Sequence, residues 1–232
     1  WEVVNEFHDW ANAVEVTPDQ AVELSKLAFD VARDANPNVH RQVNNCCAFA
    51  EYVQLKQWSG QPAKYPQRTP WQFTRDLIDA GCDITLIGQQ MYFPYRDLQD
   101  TLIMTERFAE FEKPVHWSEI GAPGGPTDRS VKLGTVNIPD EPPVWHRHWN
   151  EELQADWLEA MYTLGYSKPW MEAVTWFDFV DPYSYIENGG LLRSPAGEPK
   201  AAYRRLKKLR EEWQTLPNMA GRRPATGCTV CQ

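Results

Sequence analysis

The chain has 232 residues, of which 42% are apolar, and this composition is that of a globular protein that could bury one large core, in one domain or two. Its 32 acidic residues outnumber 23 basic ones and give a formal charge of -9, which argues against binding to nucleic acid phosphates. No run of about 18 apolar residues occurs, so we expect no membrane span.

The first predicted strand, Trp1 to Glu6, is an apolar run that ends in an amide and a carboxylic acid. A helix follows, because Thr17 to Gln20 combines an N-cap, a first-turn proline and a capping-box glutamine. Asn36 and Pro37 end it. Residues at helical spacing predict its buried face: Ala21, Leu24, Leu27, Ala28 and Val31.

The alternation of strand and helix then continues along the chain. Thr69 is followed by a proline and, two residues later, a glutamine, in the same pattern as at Thr17, and this predicts a second helix start. Gly81 is typical of a helix end. The predicted elements in this part are a strand at 39–44, a helix at 69–81, a strand at 83–89, a helix at 97–111 and a strand at 114–119. The last of these strands ends in a second acid, Glu119.

A segment rich in Gly and Pro, 121–149, interrupts this alternation, and loops of such length in a compact domain are usually functional or mobile. Beyond it the pattern predicts a helix at 151–164, a strand at 171–177 and a closing helix marked by Ala202, Leu206, Leu209 and Trp213. We expect one domain, 1–215, followed by a flexible tail, 216–232.

Five strand-helix units do not close an eight-stranded barrel, and an open parallel sheet leaves two edges bare. The pattern therefore predicts an α/β fold, the later five units of a (β/α)8 TIM barrel whose first three units lie outside this chain. A five-stranded doubly wound sheet is the alternative. We favour the barrel because Glu6 and Glu119 both end strands, and the carboxyl ends of barrel strands face one cleft.

Two carboxylic acids in one cleft are the groups that a glycosidase needs. In the retaining mechanism one protonates the glycosidic oxygen and the other attacks the anomeric carbon, at a separation of about 5 to 5.5 Å. The pKa of the acid has to be raised by burial or by the other carboxylate. Either glutamate alone could instead be an N-cap or part of a salt bridge. The occurrence of both at strand ends favours the catalytic interpretation over this structural one.

Two further patterns suggest metal chemistry, but each has a simpler interpretation. Cys228 and Cys231 have the spacing of a metal or redox pair, yet no second pair accompanies them and we prefer a flexible, disulfide-linked tail. His146 and His148 are two residues apart without a carboxylate triad, which favours a basic aromatic loop rim. We expect no metal and no cofactor.

Several segments, in one order, resemble the motifs of family 10 glycoside hydrolases, the endo-β-1,4-xylanases, from their fourth strand to their eighth. Trp1–Glu6 is similar to the family's Trp-Asp-Val-Val-Asn-Glu, and Ser118–Gly121 to its Thr-Glu-Leu-Asp. The other similar segments are Val43–Cys47, Gly88–Tyr92 and the closing stretch Val174–Tyr203. The resemblance covers about residues 1–213.

The resemblance implies cleavage of β-1,4-linked polysaccharide, most simply by an endo-β-1,4-xylanase, with Glu6 as acid/base and Glu119 as nucleophile. It implies secretion, since polymeric xylan cannot enter a cell, and a missing N-terminal barrel segment. A retaining β-glycosidase with another glycan substrate remains an alternative. A non-catalytic carbohydrate-binding barrel is the third.

The resemblance also implies roles for polar residues around the two acids. Asn5 would donate its amide to the sugar 2-hydroxyl. Gln90 and Tyr92 would hold Glu119, and Asn44 would line the same floor. The alternative for each is a polar residue that is satisfied only by its neighbours.

Two aromatic residues, Trp176 and Tyr185, would form the walls of the subsite at the cleavage point, with ordinary packing as the alternative. The chain also departs from the family's pattern, which places the substrate in question. Tyr92 stands where the family has histidine, Tyr185 where it has tryptophan and Phe177 where it has glycine, while Asn45 and Cys47 replace its Asp and Asn.

Overall fold

The computed structural model describes residues 1–126 and 145–216. The strands of the described part, in chain order, are β1 (Glu2–Asn5), β2 (Gln42–Asn45), β3 (Gln57–Trp58), β4 (Gln61–Pro62), β5 (Leu86–Met91), β6 (Val115–Ile120) and β7 (Met171–Trp176). The helices are α1 (Phe7–Trp10), α2 (Pro18–Ala35), α3 (Glu51–Leu55), α4 (Pro70–Asp79), α5 (Leu98–Ala109), α6 (Glu151–Tyr166) and α7 (Ala201–Thr215).

The order of the strands distinguishes the two predicted architectures. Five parallel strands form one sheet in the order β1-β2-β5-β6-β7, and β3 and β4 form a separate antiparallel pair. A doubly wound sheet reverses its strand order at a switch point, whereas this order never reverses. Right-handed crossovers then place the helices on one face. The fold is therefore the predicted arc of a TIM barrel, and the doubly wound alternative is wrong.

The N-termini of α2 and α4 are both set by local hydrogen bonds, as predicted. The Thr17 hydroxyl accepts from the backbone N–H of Gln20, whose side chain in turn accepts from the backbone N–H of Thr17. Thr69 and Gln72 form the same reciprocal pair at α4. Each box satisfies two N–H groups that the first turn of a helix would otherwise leave without partners.

The buried face of α2 differs from the predicted one. Ala21 is buried as expected, but Leu24, Leu27 and Val31 are 47%, 60% and 59% exposed. The face turned inward carries Ala21, Ser25, Phe29 and Ala32. Phe29 is fully buried, so the helix is rotated to place this one large ring in the core rather than the three smaller aliphatic side chains.

The two outer strands of the sheet, β1 and β7, each pair with one neighbour within the described ranges, β2 and β6 respectively. Both exposed edges were predicted from the unit count. The core lies between the sheet and the helices, where Trp117 and Trp157 are fully buried. None of the helices in the described ranges is both long enough and apolar enough to cross a membrane.

Two sequence predictions fall partly or wholly outside the described residues. The long Gly/Pro-rich segment is described only at its ends, 121–126 and 145–149, and the tail only at Leu216. The predictions for that segment, and for Cys228 and Cys231, therefore stay predictions. His146 and His148 are exposed, as a loop rim requires.

Candidate active site

Two glutamates end strands of the same parallel sheet, as predicted. Glu6 directly follows β1 and adopts a left-handed backbone, φ 53°, as the residue before α1. Its side chain does not cap that helix. Glu119 lies near the carboxyl end of β6. Within the described ranges neither carboxylate forms an ion pair with lysine or arginine, so the structural alternatives of cap and salt bridge do not account for either residue.

A chain of side-chain amides connects the two carboxylates across the floor of the cleft. Gln90 Nε2 donates to Glu6 Oε1 over 2.6 Å and lies 3.4 Å from Asn5 Oδ1. Asn44 Nδ2 donates to Asn5 Oδ1 over 3.1 Å and to Glu119 Oε1 over 3.3 Å. The two glutamates are therefore held by different amide donors, and those donors are linked through one shared acceptor, Asn5 Oδ1.

The positions of Gln90 and Tyr92 correct one predicted role and support the other. The Tyr92 hydroxyl donates to Glu119 Oε2 over 2.9 Å, as expected. Gln90 holds Glu6 instead of Glu119. The reason is an irregularity in the pairing of β5 with β6 between Gln89 and Gln90, which alters the register at this point of the strand.

Asn5 has the orientation that the predicted donor role requires. Its Oδ1 accepts from both Asn44 and Gln90, which leaves the Nδ2 amide to donate elsewhere. The residue is exposed, whereas Asn44 is fully buried. Asn44 is held in turn by Ser118, whose hydroxyl donates to Asn44 Oδ1 over 2.5 Å. Asn44 thus forms the floor, and Asn5 presents a donor to the cleft.

Opposing effects act on the pKa of Glu119. Burial raises the pKa of Glu119 above its usual value, and the nearby charge of Glu6 raises it further. The hydrogen bonds from Tyr92 and Asn44 lower it, because they stabilise the ionised form. The two donors therefore offset part of the cost of holding an anionic carboxylate in a half-buried site.

Trp10 is a contact of Glu6 that sequence reasoning missed. Its indole Nε1 donates to Glu6 Oε2 over 3.0 Å, while its ring packs edge-on against Trp58. Trp10 follows Glu6 by four residues, which is the spacing that brings side chains together on one helix face. The short helix α1 was not predicted, so this signal could not be used.

Three aromatic rings form a cluster beside Glu119. Tyr92 contacts Phe177 and Tyr185 at centroid distances of 5.6 and 5.4 Å, and Phe177 and Tyr185 are 6.3 Å apart. Tyr185 is 53% exposed, which suits the predicted role of a subsite wall. Phe177 is 49% exposed and forms part of the same surface.

Trp176 is not the second wall, and that prediction is wrong. Its side chain is 4% exposed, its Nε1 donates to the Gly189 carbonyl over 2.9 Å and its ring packs on Trp157. Strand residues alternate between the faces of a sheet, so Trp176 and Phe177 lie on opposite sides. Phe177, one residue later, is the ring that reaches the cleft.

Two carboxylates hold the loop that carries Tyr185. Asp178 accepts the backbone N–H groups of Tyr185 and Ile186 over 2.6 and 3.0 Å. The buried ammonium of Lys200 pairs with Asp181 at 3.0 Å. These bonds fix the backbone of the loop, so the position of the Tyr185 ring is set by the fold.

The sequence alone matches no protein-family profile and no curated protein. Solved structures, in contrast, share the fold. Xylanase 10B from Thermotoga maritima has a TM-score of 0.62 at 16% identity, over 92% of this chain and 60% of its own. A GH10 xylanase from Thermobacillus composti has a TM-score of 0.59 at 21% identity, over 90% of this chain and 61% of its own.

A β-glucuronidase from Bifidobacterium dentium is similar over 88% of this chain but 28% of its own, with a TM-score of 0.54 at 16% identity. The predicted resemblance to the family 10 fold is thus confirmed at the level of structure. The chain spans about 60% of the length of the xylanases it matches.

Proposed function

We propose that this chain is the part of a retaining glycoside hydrolase that carries both catalytic carboxylates, with Glu6 as acid/base and Glu119 as nucleophile. The observation that carries the proposal is the amide network, Gln90, Asn5 and Asn44, which connects the two strand-end glutamates. A sheet that used these residues only for stability would have no need to orient two unpaired carboxylates toward one space.

In the proposed reaction, Glu6 transfers its proton to the glycosidic oxygen while Glu119 attacks the anomeric carbon and the bond to the leaving sugar breaks. The ionised Glu6 then removes a proton from water, which attacks the same carbon and releases Glu119. Tyr92 and Asn44 hold Glu119 through separate oxygens, which restricts its rotation before attack. Asn5 would donate to the sugar 2-hydroxyl as charge develops on the ring.

The proposed substrate is a β-1,4-linked polysaccharide, with xylan first. Support comes from the xylanases that share the fold, one of which, from Thermotoga petrophila, was solved in complex with xylobiose. A different glycan is the second candidate, since Tyr92, Phe177 and Tyr185 form an aromatic surface at positions where the family pattern has other residues. A non-catalytic carbohydrate-binding barrel is disfavoured, because it would need neither glutamate.

The proposal includes two features of the whole protein. We propose that a further barrel segment packs along the edges of β1 and β7 and over the outer face of α2, where Leu24, Leu27 and Val31 are exposed. Secretion is proposed because a polymeric substrate lies outside the cell.

The test uses the full-length polypeptide that contains this chain, with aryl glycosides and with xylan, glucan and mannan. Glu119→Ala should abolish turnover, and azide should restore it with a glycosyl azide of the opposite anomeric configuration, because a small anion fills the vacated space. Glu6→Ala should spare aryl glycosides with good leaving groups, since these need no protonation. Equal losses of the Glu6 variant on activated and natural substrates would contradict the assigned roles.

A further inference from the structure

A second group of side chains, of the types that bind metals, lies close to Glu6 and has no part in the proposed reaction. Ligand atoms of Asp9, Cys46 and Cys47 all lie within 4.8 Å of one another. The three side chains are 7%, 6% and 6% exposed. Of the described residues, these form the one group of three or more His, Cys, Asp or Glu side chains with such spacing.

The fold brings these residues together from two neighbouring strand ends. Asp9 lies in α1, three residues after Glu6, and the cysteines directly follow β2, the partner of β1. The backbone of Cys47 is left-handed, φ 51°, as is that of Glu6. The cluster thus connects the turn that carries the proposed acid/base with the loop beside it.

The donor set is that of a thiophilic divalent cation. Two cysteine sulfurs and one carboxylate oxygen are ligands that Zn²⁺ accepts, at about 2.3 Å for sulfur and about 2.0 to 2.2 Å for oxygen. A tetrahedral site built with those bonds has neighbouring sulfurs about 3.8 Å apart. Small rotations of side chains that already lie within 4.8 Å would reach this geometry.

A histidine in the same place supplies an independent indication. His8 is 3% exposed, and its Nε2 lies 3.7 Å from Cys46 Sγ, close to the edge length of a tetrahedral site. Its Nδ1 is buried without a hydrogen-bond partner in the described part of the chain. The nitrogen that faces the cluster is therefore Nε2, which is placed to hold the Cys46 sulfur.

The absence of a basic partner for Asp9 among the described residues also favours a bound cation. Within the described ranges no lysine or arginine forms an ion pair with this carboxylate, although it is buried and close to Glu6. A buried carboxylate is normally paired or bound to a metal. A divalent cation would neutralise Asp9 and both thiolates together.

We propose that Asp9, Cys46 and Cys47 form a binding site for a thiophilic divalent cation, Zn²⁺ by its donor set, with His8 supporting Cys46. Bound metal would fix α1 to the loop after β2 and so restrain the backbone that positions Glu6. The site does not depend on the proposed glycosidase activity, and its test measures binding directly.

The experiment titrates the full-length polypeptide with Co²⁺ and follows thiolate-to-metal charge-transfer absorption. Cys228→Ser and Cys231→Ser are introduced first, so that the thiols of the tail do not contribute. We expect one Co²⁺ per chain, displacement of Co²⁺ by Zn²⁺ and a higher melting temperature with metal. Adding Cys46→Ser and Cys47→Ser should abolish the absorption, Asp9→Asn should weaken binding about tenfold or more, and Cys82→Ser should leave it unchanged.

Absence of thiolate absorption at saturating Co²⁺ would overturn the proposal, as would an equal loss with Cys82→Ser. If the double serine variant does not fold, alkylation of the native chain decides the matter instead. Zn²⁺ should then protect Cys46 and Cys47 from a thiol reagent while leaving the rate at Cys82 unchanged. Equal rates at all three cysteines with and without Zn²⁺ would refute the site.

Discussion

Replacement of Tyr92 by phenylalanine removes one hydroxyl and leaves the aromatic ring in place. That hydroxyl donates to Glu119 Oε2 over 2.9 Å and lowers the pKa of the carboxyl. A hydrogen bond to a charged group contributes about 1.5 to 3 kcal/mol. Tyr92→Phe should therefore raise the pKa of Glu119, because the ionised carboxylate loses a hydrogen bond of that strength.

The assay is a pH titration of ¹³C-carboxyl-labelled glutamate by NMR, in which the Glu119 signal is assigned by its loss in Glu119→Gln. This readout does not require turnover. Tyr183→Phe is the matched control, because that tyrosine is 82% exposed and should leave the titration unchanged. An unchanged or lowered pKa of Glu119 in Tyr92→Phe would refute the reasoning, since it would mean that the hydroxyl does not stabilise the ionised form.

Three further changes test the site and its support. Burial raises the pKa of Glu119, so the folded chain loses stability as the pH rises from the ordinary pKa of glutamate through the raised pKa of Glu119. Glu119→Gln removes this loss, so the variant should have a higher melting temperature than the native chain at pH 7 but not at a pH below the ordinary pKa of glutamate. Gly88→Ala would place a Cβ in steric clash with Asn44 Oδ1 and should cost about 1 to 3 kcal/mol in urea unfolding. Lys200→Met leaves a largely buried carboxylate unpaired and should cost about 3 to 5 kcal/mol in thermal unfolding, whereas Lys207→Met, at an exposed pair, should cost less than about 1 kcal/mol.

The features that could be predicted from the sequence depend on neighbours in the chain. Both capping boxes are decided within four residues, and the strand ends that carry Glu6 and Glu119 follow from short apolar runs. The buried face of α2 could not be read in this way. Its aliphatic residues and Phe29 both fit helical spacing, and the packing against the sheet decides between them.

The incorrect site predictions share a different cause, which is the exact relation between adjacent strands. Gln90 reaches Glu6 because the pairing of β5 with β6 is irregular before it, and no residue pattern within β5 reveals that irregularity. Trp176 and Phe177 are adjacent in sequence, so a prediction that is off by one residue exchanges a core ring for a cleft ring. Sequence similarity alone could not make that distinction.

Three of the departures from the family pattern lie together beside Glu119. Tyr92, Phe177 and Tyr185 occupy three of the departing positions, and in the structure their rings all contact one another. A change in the size of one ring would have to be accommodated by the other two, because they share one surface. The amides that orient the carboxylates, Asn5 and Asn44, keep the family's pattern. In the proposed glycosidase, the carboxylates and the aromatic surface are thus separable, and we propose that this surface is where a glycan other than xylan would be selected.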